Sequence, residues 1–128
     1  MTAADTPPLL LVGGPDGERD LLKLYLARNN VGVLASVSQL TDALPHLAAQ
    51  PGCTLVLVRP QDLAQSGVWV HERRSQGFQG RVGVVVKAEE IRAYIGKGRW
   101  NDFALKSPVS EPDFLGAARS SSRLAERI

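Results

Sequence analysis

Leu55-Val56-Leu57-Val58-Arg59-Pro60 is the stretch that decides how this chain is read. Its four apolar residues in a row fit a strand buried on both faces, as parallel sheets require. The run stops at a cation and then a proline. In open α/β sheets, chemistry gathers at the carboxyl ends of the central strands. A carboxylate at that point could accept a phosphoryl group. Arg59 cannot, because guanidinium is a permanent, donor-only cation with no nucleophilic oxygen.

Outward from this strand, apolar runs alternate with helical patterns. Strands are predicted over 9–12, 31–35, 54–58, 82–86 and 102–105. The first helix is predicted over 17–29, with Asp16 as its cap. A second helix follows Ser38 as cap, with Leu40, Ala43, Leu44, Leu47 and Ala48 at helical spacing. Pro45 sits inside it and predicts a kink or a late start. A third helix is predicted to open at Gly67, a short fourth over 88–95, and a last one from Glu111 or Pro112 to Ala125. This is (βα)₅: a three-layer flavodoxin-like (CheY-like) α/β fold with a parallel five-stranded sheet in the order 2-1-3-4-5.

The chain has 128 residues, of which 44% are hydrophobic and 22% charged, with a formal charge of +2. That composition fits one ordinary globular domain over 1–128, with residues 1–8 as an N-terminal tail. The charge is too slight to point to nucleic acid. Cys53 is the only cysteine, so no internal disulfide can form, and a reducing cytoplasm is the expected setting. No apolar run approaches the ~20 residues that span a bilayer. Residues 1–8 lack a basic n-region, so the run 9–12 reads as a strand rather than a signal-peptide core.

Three segments resemble the receiver domains of bacterial two-component response regulators. Leu11-Val12-Gly13-Gly14-Pro15-Asp16-Gly17-Glu18-Arg19-Asp20-Leu21-Leu22 is similar to that family's Val-Asp-Asp-x-x-x-x-Arg-x-Leu-Leu pattern. Thr54-Leu55-Val56-Leu57-Val58-Arg59, with Gly67 eight residues on, matches Asp-Leu-Val-Leu-Leu-Asp and its later glycine. Asp102-Phe103-Ala104-Leu105-Lys106-Ser107-Pro108 resembles Asp-Tyr-Leu-x-Lys-Pro with one residue inserted. The resemblance implies a degenerate reaction centre, that of a pseudo-receiver. Gly13 and Gly14 stand where acidic residues help hold Mg²⁺, and Arg59 stands at the phosphoacceptor Asp. The family's Thr/Ser maps to Val86, or to Lys87 if the register slips by one. Of the catalytic set only the lysine remains, as Lys106.

Each candidate has a plain structural alternative. Arg59 and Lys106 are expected near each other, holding an anion or a partner carboxylate; alternatively, Arg59 pairs with Asp16, Asp62 or another nearby carboxylate. The Gly13–Gly17 segment matches neither a P-loop nor a dinucleotide fingerprint. His46 and His71 lack metal-ligand spacing. Cys53 has no base partner and reads as a structural thiol. Trp69 packs on the sheet or caps the emptied pocket. Trp100 is either a partner hot spot or folds onto the core over Tyr94.

The expected function is a non-phosphorylatable signalling module, not an enzyme, acting through protein–protein contact without a cofactor or metal. Its expected face is Arg92, Tyr94, Lys97, Arg99, Trp100 and Phe103, or alternatively the first helix. An unidentified signalling protein is the expected partner, with a homodimer possible and neither membrane nor nucleic acid involved. The alternative is a sensor of small anions or nucleotides at the sheet's carboxyl edge.

Overall fold

The computed structural model describes residues 7–94 and 100–119. Five parallel strands form one sheet in the order β2-β1-β3-β4-β5, the order expected from the alternation of runs. They are β1 (Leu9–Val12), β2 (Val33–Val37), β3 (Thr54–Val58), β4 (Val82–Lys87) and β5 (Phe103–Ser107). Four α-helices are described: α1 (Asp16–Arg28), α2 (Leu40–Ala49), α3 (Leu63–Ser75) and α4 (Glu111–Arg119). A 3₁₀ helix over Ala88–Tyr94 replaces the α-helix predicted for 88–95.

β1 and β3 are buried along their whole length, because helices cover both faces of the sheet. On one face Leu9, Leu11, Val56, Val58 and Val85 pack with Leu22 and Leu26 of α1 and Phe114 and Leu115 of α4. On the other face Leu10, Leu55, Leu57, Val84 and Val86 pack with Ala43 and Leu47 of α2 and Val70 of α3. Alternate residues of one strand therefore feed two separate cores.

Several boundaries differ from expectation, each for a local reason. β2 begins at Val33, not Val31. Asn30 adopts a left-handed conformation (φ 59°), and the Val31 amide still donates to the Leu26 carbonyl, so the chain leaves α1 two residues late. α1 begins at Asp16 itself, with Pro15 in the cap position, so Asp16 is no side-chain cap. Ser38 is not a cap either; Gln39 holds that place in α2 without a side-chain bond. α2 runs through Pro45, which leaves the Thr41 carbonyl without its usual donor; both residues are exposed, where water can serve. α3 starts at Leu63, four residues before Gly67, because the Asp62 carboxylate accepts the Gln65 amide at 2.9 Å. β5 starts after Asp102, whose carboxylate accepts the Val82 amide at 2.7 Å. The part of the last helix expected beyond Arg119 lies outside the described residues. Among those residues, no helix is long and apolar enough to cross a membrane.

Candidate functional site

The carboxyl edge of the sheet opens into a groove of about 1110 Å³. The ends of β1 and β3 form its floor through Val12, Gly13, Gly14, Val58 and Arg59. Ser38 and Gln39 come from the approach to α2, Asp62, Gln65 and Ser66 from the start of α3, and Lys87 and Glu90 from the end of β4 and the 3₁₀ helix. Arg59 and the Gly13-Gly14 turn thus share one groove.

Both glycines need to be glycines. Gly13 has φ 90° and Gly14 φ 67°, in the left-handed region that costs other residues roughly 1–2 kcal/mol. A Cβ on Gly14 would lie 2.7 Å from Val58 Cγ1 and 2.8 Å from the Val58 carbonyl oxygen. The end of β1 is therefore pressed against the end of β3.

Arg19 holds this turn from below. It is only 7% exposed. Its Nη1 donates to the Gly13 carbonyl at 2.8 Å and the Gly14 carbonyl at 3.2 Å, and its Nε to Ser36 Oγ at 3.0 Å. Its Nη2 pairs with Asp16. One guanidinium on α1 thus ties together the β1 turn, β2 and the start of its own helix.

Arg59 has φ 52°, uncommon for a residue with a side chain. Its amide donates to the Val85 carbonyl at 2.7 Å, and its Nη1 reaches Glu18 Oε1 at 3.1 Å. Of the carboxylates considered from sequence, neither Asp16 nor Asp62 is its partner: Asp16 faces Arg19, and Asp62 caps α3. Glu90 accepts the Lys87 amide at 3.2 Å. Each carboxylate near the groove is therefore already engaged, although Glu18 Oε2 is buried without a hydrogen-bond partner.

Lys106 does not line the groove with Arg59. It sits within β5 opposite Val86, exposed, and β4 separates its strand from β3. Alternate strands lie roughly 10 Å apart. Lys87 is the lysine that lines the groove, while Val86 is sealed in the core. Glu18 and Arg19 are the residues that sequence reasoning left without a role here, and Lys87 entered only as the alternative to Val86. Arg19 had a signal in the matched Arg-x-Leu-Leu pattern; Glu18 had none.

The expected interaction face does not stay together on the surface. Arg92 is exposed. Tyr94 is 6% and Phe103 9% exposed, so both belong to the interior. Phe103 lies over Gly83, where the missing side chain leaves room for its ring, and Arg81 stacks on it with 4.7 Å from guanidinium carbon to ring centroid. Trp100 meets Tyr94 edge-on, with centroids 5.9 Å apart at 85°, and is packed against the core and Gly67. Of the two alternatives for Trp100, folding over Tyr94 matches this packing. Lys97 and Arg99 lie outside the described residues. Trp69 packs on the second core beside Arg73, whose guanidinium carbon is 5.4 Å from the ring centroid; it does not line the groove.

Cys53 is buried, and burial pushes its thiol up to about 11, opposed by a backbone hydrogen bond. Tyr94 is also raised, first by burial and then by the negative charges of Glu90 and Asp62. Neither group is poised for chemistry near neutral pH.

No family model matches the chain, and no curated protein matches it. Among solved structures, the fold is similar to one described as the signal receiver domain of the response regulator NarL from Mycobacterium tuberculosis. The TM-score is 0.65 at 17% identity, over 87% of this chain and 92% of that one. At that identity the likeness speaks to the fold alone.

Proposed function

We propose that this chain is a receiver-like signalling module that accepts no phosphoryl group and acts through protein–protein contact. The observation that carries the reading is Arg59, at the end of the central strand and held by Glu18. A cation in an ion pair supplies neither a nucleophile nor a metal ligand. The residues present do not fit Mg²⁺ either. That ion takes oxygen ligands and near-octahedral geometry, whereas the β1 turn offers two glycines that carry no side-chain oxygen, and Gly14 has no room for a Cβ. The carboxylates nearby already accept from Arg19, Arg59, the Gln65 amide at the α3 cap and the Lys87 amide.

A second reading, an anion or nucleotide sensor, draws on Lys87 and the polar rim of the groove. It is weaker because Asp62 and Glu90 line the same space and offset the charge. The test of the main reading is titration with acetyl phosphate, or beryllofluoride, in the presence of Mg²⁺. Amide chemical shifts of the Gly13-Gly14 turn and of Arg59 are expected to stay put. A saturable shift overturns the proposal. A thermal-shift series with phosphate and nucleoside phosphates, without Mg²⁺, separates the second reading.

A further inference from the structure

The outer face of α1 has a pattern that fits itself. Gly17, Asp20, Leu21, Leu24, Ala27 and Arg28 are all exposed. At 100° per residue they fall within a sector of about 120°. That sector lies nearly opposite the buried side formed by Arg19, Leu22 and Leu26. Leu24 is 52% and Leu21 38% exposed, so the centre of the face is apolar. Nothing lies within 4 Å of a Cβ built on Gly17. The charges flank the apolar centre with opposite sign: Asp20 is four residues before Leu24, and Arg28 four residues after it.

We infer that this face docks a second copy of the chain, with two α1 helices antiparallel about a two-fold axis at Leu24. This rests on the reading of the chain as an interaction module and names a partner for it. With the two helices crossing at about 50°, so that the rows 20-24-28 of the two copies lie along each other, Leu24 meets its twin and Leu21 lies beside Leu21 of the other copy. Asp20 of each copy meets Arg28 of the other. The existing pairs then join into one run of alternating sign. Lys23 already lies 3.8 Å from Asp20, and Arg28 lies 3.6 Å from Glu111. Across the axis the order becomes Lys23, Asp20, Arg28, Glu111, with no like charges adjacent. An isologous interface demands such self-complementarity, and an unrelated partner would not. Two leucines per copy make a small apolar centre, so the dimer is weak and salt-sensitive.

Sedimentation of the full chain from micromolar to near-millimolar concentration tests this. The wild type is expected to move from monomer to dimer. Leu24→Glu is expected to raise Kd at least tenfold. Asp20→Arg and Arg28→Asp, each alone, are expected to weaken the dimer, whereas an equimolar mixture of the two variants regains it, because each then meets its opposite charge. These positions are exposed, and circular dichroism checks that the variants fold. A wild type that stays monomeric, a Leu24→Glu variant that still dimerises, or a mixture no tighter than its components overturns the inference. Failure of the phosphorylation reading shows instead as a beryllofluoride response, whatever the sedimentation result.

Discussion

Arg59 and Glu18 join the end of the central strand to the first turn of α1, with Nη1 and Oε1 3.1 Å apart and both side chains largely covered. The cation keeps a left-handed backbone to make this contact. Two opposed effects therefore meet at one residue, backbone strain and a charge-assisted hydrogen bond.

They can be separated by substitution. Arg59→Ala keeps the strain and loses the pair, and is expected to cost about 2–3 kcal/mol. Arg59→Gly also loses the pair but relieves the backbone, so it is expected to be about 1 kcal/mol less costly than Arg59→Ala. In a Glu18→Gln background the penalty of Arg59→Ala shrinks, since the carboxylate no longer waits for a partner. Urea melts of the wild type and the four variants check this order. Equal loss for Ala and Gly shows that φ carries no strain.

An acidic side chain at the β1 turn is expected to fail structurally. Gly14→Asp adds a Cβ that collides with Val58 and places a non-glycine residue at φ 67°. Overpacking and the left-handed backbone together cost about 2–4 kcal/mol. Gly17→Ala is the matched control. It lies in the first turn of α1 with open space around it, and is expected to be neutral or to stabilise by up to about 1 kcal/mol. Thermal denaturation of the two variants decides; a Gly14→Asp protein as stable as wild type removes the packing argument.

The pH dependence follows from Cys53. In the folded chain its thiol keeps its proton up to about 11, against 9.0 for the free group. Between those values the unfolded state has released more proton than the folded state, so stability falls as pH rises. The contribution is whole below pH 9 and is lost on passing about 11, a change on the order of 2 kcal/mol. Cys53→Ala lacks this part of the slope. Paired urea melts across that window are expected to show the gap between the two proteins closing with rising pH. At neutral pH, thiol reagents are expected to react only after unfolding.

The fold was legible because long apolar runs announce strands buried on both faces, and five of them separated by helical patterns leave few topologies. Boundaries were harder. Gly67 reads as a helix start, yet the cap at Asp62 outweighs it, because a satisfied amide at the first turn matters more than one flexible residue inside. At the site, Gly13, Gly14 and Arg59 were visible in the strand ends themselves. Glu18 was not, since its meeting with Arg59 depends on how α1 is rotated against the sheet. Phe103 looked like surface because its partner is an absent side chain: the room above Gly83 exists only once β4 and β5 are neighbours. Lys106 shows what strand ends alone leave open. Counting back from Pro108 finds a lysine; the register sets it level with Arg59 but beyond β4, and it is not among the residues that line the groove.

Trp100 and Gly67 supply a prediction whose sign reverses with context. A Cβ on Gly67 would lie 2.7 Å from Trp100 Cδ1, so Gly67→Ala is expected to destabilise the wild type by about 1–2 kcal/mol despite its gain in helix propensity. Trp100→Ala empties that space and breaks the edge-on contact with Tyr94, at about 3–4 kcal/mol. With the indole gone, the added methyl meets no ring, and only the helical gain of up to about 1 kcal/mol is left. Gly67→Ala in the Trp100→Ala background is therefore expected to stabilise. A double-mutant cycle by chemical denaturation reads this directly. Additive penalties would mean that the indole does not rest on α3, and would return Trp100 to the surface as a candidate contact for a partner.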